Sequence, residues 1–150
     1  IIKKPIMEGT GNKKKGKKRV SEIKTFEVPF SLGEIKENMT SYINGNPEAS
    51  KQKIINQAFK FHSKGNIQEA ARYYQYFIDK GFNDHRVFSN YGLILKDLNK
   101  LKEAELYTRK AIQINSNFAI SHYNLGLILK DFGNLQDAKL STRKAIELNP

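Results

Sequence analysis

The 150-residue chain has no cysteine. Disulfides, thiolate metal sites and cysteine nucleophiles are therefore excluded. It has no apolar run near the roughly 18–20 residues that a bilayer span needs. Its first residues, Ile1 to Ile6, lack the long apolar stretch of a secretory signal. These absences together predict a cytoplasmic location. Catalytic signatures are missing as well: there is no Walker-type glycine loop, no G-x-S-x-G elbow and no H-E-x-x-H. The three histidines, His62, His85 and His122, are too sparse for a metal-binding pattern. Neither an enzyme nor a cofactor is expected within these residues. Hydrophobic residues make up 39% and charged residues 27%, enough for a shallow core and too apolar for full disorder.

The net charge of +11 is unevenly placed. Residues 1–24 hold nine basic and two acidic residues, three glycines and few apolar side chains. Such a segment cannot bury enough surface to offset the entropy of ordering, which predicts a disordered basic leader over 1–24. Its Lys13–Arg19 run could attract nucleic-acid phosphates or an anionic surface without reading sequence, or could serve only as a solubilising leader. Residues 25–46 are a linker with a short amphipathic helix expected at 32–43. There Ser31 and Glu34 have capping-box spacing, and Ile35, Met39, Tyr42 and Ile43 follow at helical spacing. Pro47 is suited to open the next helix, since a first-turn proline loses no helical hydrogen bond.

From 51 onward the chain repeats every 34 residues. Of the 32 pairs that align 85–116 with 119–150, 16 are identical, including Leu93 to Asp97 against Leu127 to Asp131 and Thr108 to Ile112 against Thr142 to Ile146. A weaker copy begins at Lys51 and keeps Asn56, Ala58, Phe61, Gly65, Ile67, Ala70 and Tyr74. A period of this length indicates a solenoid. Each copy holds two helical patterns split at Lys64-Gly65-Asn66, Leu98-Asn99-Lys100 and Phe132-Gly133-Asn134, so each unit is a helical hairpin. Ala58, Gly92 and Gly126 in the first helices, and Ala70, Ala104 and Ala138 in the second, are small where two backbones must meet. An interior helical glycine, unfavourable by roughly 1 kcal/mol relative to alanine, is retained only where close contact compensates.

These residues and their period resemble the tetratricopeptide repeat, in copies at about 51–84, 85–118 and 119–150. The third copy fits the pattern with His122, Leu125, Gly126, Leu129, Ala138, Thr142, Ala145 and Pro150. Its departures are His122 in a large apolar slot and Thr108 and Thr142 in an aromatic one, which imply looser local packing. The resemblance implies an all-α, right-handed α-solenoid of helix-turn-helix hairpins over 47–150. Its concave face, lined by the first helices, would bind an extended peptide or protein segment.

On that face the resemblance places Asn56, Asn90 and Asn124 at one position per repeat, beside Phe59, Leu93, Tyr123 and Leu127 and the pairs Lys96/Asp97 and Lys130/Asp131. A primary amide offers donor and acceptor together, so three in register could hold a peptide by its backbone. The arrangement is similar to the asparagine ladder in the repeat region of O-linked N-acetylglucosamine transferases. The alternative is that these amides bond within the scaffold. The carboxylate clamp of chaperone-binding members is not matched: its positions hold Ile55, Phe59, Asn90, Ile120 and Asn124, of which only Asn90 fits. No polar capping helix follows the third repeat, which predicts a longer protein with more repeats or, as in similar bacterial proteins, a transferase domain that these repeats would serve.

Overall fold

The computed structural model describes residues 47–150. The expected basic leader, the helix at 32–43 and the Lys13–Arg19 run lie outside the described residues. Six helices follow in order: α1 Pro47–Ser63, α2 Ile67–Asp79, α3 His85–Asp97, α4 Leu101–Ile114, α5 Ala119–Asp131 and α6 Leu135–Leu148. No strand occurs among the described residues. Pro47 opens α1 as its sequence position predicts.

The breaks inside the hairpins share one geometry. Gly65, Asn99 and Gly133 stand at equivalent positions with φ of 73°, 59° and 82°. This left-handed conformation favours Gly and tolerates Asn. It lets the next backbone N–H turn back onto the helix: Asn66 reaches the Phe61 carbonyl at 2.9 Å, Lys100 that of Leu95 at 2.8 Å, and Asn134 that of Leu129 at 2.9 Å. The following helix starts at once. Asn66 caps α2 by accepting from the Glu69 amide, and Asn134 caps α6 by accepting from the Asp137 amide. Glu69, Glu103 and Asp137 lie in first turns, where carboxylates suit the helix dipole.

Two helices of a hairpin approach closely because the side chains between them are small. A Cβ built on Gly126 would lie 2.5 Å from Thr142 Oγ1 and 3.2 Å from the Ala138 carbonyl oxygen. Gly92 faces Thr108 and Ala104 in the same way. The threonines therefore do not loosen the packing, as their departure from the repeat pattern implied. Thr108 is 0% exposed, and the Thr142 hydroxyl donates to the Ala138 carbonyl at 2.9 Å. A β-branched side chain fits the space that the missing Cβ leaves, so glycine and threonine substitute together for the small–aromatic pair Ala58 and Tyr74 of the first repeat.

The main core joins the first two hairpins: Ile54, Ala58, Tyr74, Phe77, Val87, Tyr91, Ile94 and Leu95 are buried in it. A buried polar thread crosses it. The Tyr91 hydroxyl donates to Gln75 Oε1 at 2.6 Å, and Gln75 Nε2 donates to Asp79 at 2.7 Å. Burial raises the Tyr91 pKa well above the usual tyrosine value, so the phenol stays protonated and remains a donor. The core thins in the third hairpin to Leu125, Leu129 and Ala138 with Ile112 packed against them.

Candidate protein-binding surface

The first helices of the second and third hairpins, α3 and α5, lie side by side with one offset between their facing residues. Asn124 Nδ2 donates to Ser89 Oγ at 3.1 Å, a separation of 35 residues. Lys96 and Asp131 keep the same separation and pair at 3.6 Å. A first-helix side chain in one repeat is thus covered by a residue one position further along in the next.

That offset sorts the three asparagines. Asn56, on the outermost first helix, is exposed, and its Oδ1 accepts from Gln52 at 2.8 Å. Asn90 is half-buried, and its Nδ2 donates to the Tyr74 hydroxyl at 3.4 Å. Asn124 is 2% exposed with its Nδ2 committed to Ser89, so the structure closes it to a ligand. The three amides share a sequence position without sharing an environment.

The remaining candidates fall into distinct patches. Phe59 and Asn90 line one pocket of ≈ 260 Å³ together with His62, Ser63 and Tyr74. The Phe59 ring stands edge-on to Tyr74, 6.1 Å between centroids, and the Arg86 guanidinium lies over it at 5.5 Å. Lys96, Asp97 and Asp131 form an ion cluster, with Lys96 Nζ 3.0 Å from Asp97. Its hydrogen bond to Asp97 raises the Lys96 pKa further, so its charge is constant but already partnered. Tyr123 is 50% exposed on α5, and Leu93 is half-buried on α3. Leu127 and Lys130 line a separate groove beside α6.

Sequence reasoning singled out Asn90 but not the hydrogen-bonded trio that it forms with Tyr74 and His62 at the centre of the first pocket. His62 Nδ1 is 3.0 Å from the Tyr74 hydroxyl, which also accepts from Asn90. The arrangement that satisfies all three groups has Tyr74 donating to Nδ1, which leaves Nε2–H as the ring's donor. Burial pushes the Tyr74 pKa up to about 12. Burial also lowers the His62 pKa, against the opposing field of Asp97. A histidine with a depressed folded-state pKa supports stability fully above 6.5 and loses that support as pH falls through the folded value. Denaturant unfolding from pH 7.5 down to 5 is therefore expected to show falling stability, and His62→Gln to flatten that slope. A slope unchanged by the substitution would assign the acid sensitivity elsewhere. His122, expected in the core, is half-buried and instead ties the preceding loop by a 2.8 Å hydrogen bond from Nε2 to the Ser116 carbonyl.

Among the described residues no group of three or more His, Asp or Glu could hold a metal ion. No helix among them is long and apolar enough to cross a membrane. The hairpins and their regular offset define an α-solenoid repeat protein. The tetratricopeptide repeat model matches residues 85–118 and 119–150, and the solved structures below share the fold. The second tetratricopeptide repeat of Spaghetti (RPAP3), solved bound to an HSP90 peptide, is similar at TM-score 0.61 and 17% identity over 75% of this chain and 99% of that one. A MamA arginine-to-glutamate mutant is similar at TM-score 0.64 and 15% identity over 79% and 86% of the two chains. No curated protein matches significantly.

Proposed function

We propose that this chain is a protein-interaction module that receives an extended segment of another protein along its first helices, centred on the pocket of Phe59, His62, Tyr74 and Asn90. The observation that carries this reading is the fixed polar trio beside an aromatic ring. Asn90 has its amide nitrogen engaged and keeps Oδ1 as an acceptor, while His62 keeps one ring N–H as a donor. A peptide group needs one of each, and Phe59 offers an apolar anchor next to them. Because Tyr74 holds both partners in place, little ordering is left for the bound state to supply. Ile120 and Tyr123 on α5 are exposed apolar side chains as well. A neighbour of the same fold bound to a peptide supports the class of function. The absence of the clamp residues other than Asn90 argues for a different peptide chemistry.

The test is a peptide selected from a displayed random library against the full chain. Phe59→Ala and Asn90→Ala are each expected to weaken its binding about tenfold or more; Asn90→Ala is expected to change melting little, whereas Phe59→Ala also lowers it, because the ring packs against the core. Selected peptides that ignore both substitutions would sink this assignment.

A further inference from the structure

The pocket of Phe59, His62, Tyr74 and Asn90 holds a proton whose position decides what it offers a ligand. Tyr74 is 0% exposed, and its hydroxyl has two hydrogen-bond partners among the described residues: His62 Nδ1 at 3.0 Å and Asn90 Nδ2 at 3.4 Å. One partner belongs to α1 and the other to α3, so a hydroxyl on α2 bridges two first helices. It carries a single proton, which its raised pKa keeps in place.

With His62 neutral, the order of donors is fixed. Asn90 Nδ2–H donates to the Tyr74 oxygen, and the Tyr74 hydroxyl donates to Nδ1. The pocket then shows Asn90 Oδ1 as an acceptor. Protonation of His62 puts a hydrogen on Nδ1 and closes it as an acceptor. The Tyr74 proton must then turn to its other neighbour, and Asn90 can receive it only through Oδ1. A half-turn of the amide about its last side-chain bond achieves this with little change of shape, because its two ends are nearly alike in size. Oδ1 is thereby consumed inside the trio, and Nδ2–H faces the pocket.

The charges around the ring suit such a switch. Burial disfavours the charged imidazole, and the field of Asp97 on α3 favours it. His62 and Asp97 keep the sequence spacing of Lys96 and Asp131, the pair that joins α3 to α5 at 3.6 Å. His62 is therefore the titratable counterpart of a permanent cation in the next repeat. Asp97 is shared with Lys96 at 3.0 Å. Arg86 lies over Phe59, one turn away on α1, and is committed to Asp84 at 2.7 Å. From α2 the ring is faced by Tyr74.

We infer that His62, acting through Tyr74, sets the polarity of Asn90, so that the site accepts a peptide N–H while the imidazole is neutral and refuses it once the imidazole is charged. The inference rests on the peptide-binding reading of this pocket. It makes recognition acid-sensitive by exchanging an acceptor for a donor at one place.

The probes are a peptide selected against the full chain at pH 7.5 and its single N-methyl analogues. They are titrated by fluorescence anisotropy at pH 7.5 and below the His62 midpoint, which the ring proton shifts locate. At pH 7.5 one analogue is expected to bind about tenfold more weakly than the parent peptide, because it lacks the N–H that meets Oδ1. Below the midpoint the parent peptide is expected to weaken about tenfold, and that analogue to match it within about twofold. Tyr74→Phe keeps the buried ring and cuts the relay, so the penalty for N-methylation no longer changes with pH. No analogue with such a penalty, a penalty that ignores pH, or a pH dependence that survives Tyr74→Phe would each overturn the inference. Spectra of the free protein provide a test without peptide. The Asn90 side-chain NH2 signals are expected to shift as His62 titrates, and to stay constant in Tyr74→Phe; signals that ignore the titration overturn the relay. Peptides that ignore Phe59→Ala and Asn90→Ala strike the peptide-binding reading alone, and the amide signals still decide the relay.

Discussion

Gly92→Leu is expected to lower stability by about 3 kcal/mol or more, through overpacking of a contact that has no room. For the roughly 100 described residues this corresponds to a fall of ~12 °C or more in melting temperature. The argument starts at the first atom of the new side chain. A Cβ at Gly92 would collide with Thr108 Oγ1, and it would sit 3.1 Å from the Ala104 carbonyl oxygen and 3.3 Å from the Thr108 amide nitrogen. The last two are backbone and cannot turn aside. Thr108 is fully buried, so rotating its side chain only moves the conflict. Gly92→Ala separates two opposed effects. Alanine gains about 1 kcal/mol of helix propensity over glycine. The collision outweighs that gain, and a net loss of about 1 kcal/mol is expected. Thr108→Ala in the Gly92→Ala background removes the nearest obstacle, so the double variant is expected to be more stable than the sum of the single changes predicts. Thermal unfolding of the four proteins checks this, and a Gly92→Leu protein that melts normally would mean that the helices do not meet there.

Much of this architecture is legible in the sequence because it is local. Helix periodicity, the small residues at one place in each helix, and the Gly or Asn at each break depend on neighbours within one repeat. The breaks at Gly65, Asn99 and Gly133 fall where the sequence puts them. What escaped is set between repeats. No periodicity within one hairpin reveals that facing residues of α3 and α5 are 35 apart, one more than the repeat, because that step depends on how the hairpins stack. The shift buries Asn124 while leaving Asn56 open. The equivalence of Asn56, Asn90 and Asn124 in sequence therefore does not extend to their surroundings. The exchange of an aromatic for threonine was visible but misleading, since its meaning lies in the glycine on the opposite helix. The charge difference between Glu105 and Lys139 was also in plain view. In the structure Glu105 pairs with Arg109 at 2.8 Å, a pair that Lys139 cannot make with Arg143.

Asn124→Asp is expected to destabilise the protein by about 2–4 kcal/mol at neutral pH, while Asn56→Asp changes stability by less than about 0.5 kcal/mol. The two substitutions are the same in chemistry and differ only in what surrounds them. At Asn124 the amide nitrogen donates to the Ser89 hydroxyl at 3.1 Å and lies 3.4 Å from the Ser89 carbonyl oxygen. An ionised carboxylate there faces the Ser89 carbonyl oxygen out of water, with at most the Ser89 hydroxyl turning to donate to it. Burial favours the protonated form, which can still donate to Ser89, so the folded-state pKa of the new acid rises above its unfolded value. The penalty is therefore small below about pH 4, near the ordinary aspartate pKa, and grows as pH climbs towards the folded value. Stability of the Asn124→Asp protein relative to the parent, followed by urea unfolding between pH 4 and 8, should fall with rising pH. At Asn56 the side chain is open to water and a carboxylate there still accepts from Gln52, so no such trend is expected. If both variants behaved like the parent, Asn124 would be an open amide available to a bound peptide. The large, pH-dependent cost expected at Asn124 instead makes it the bolt between the second and third hairpins.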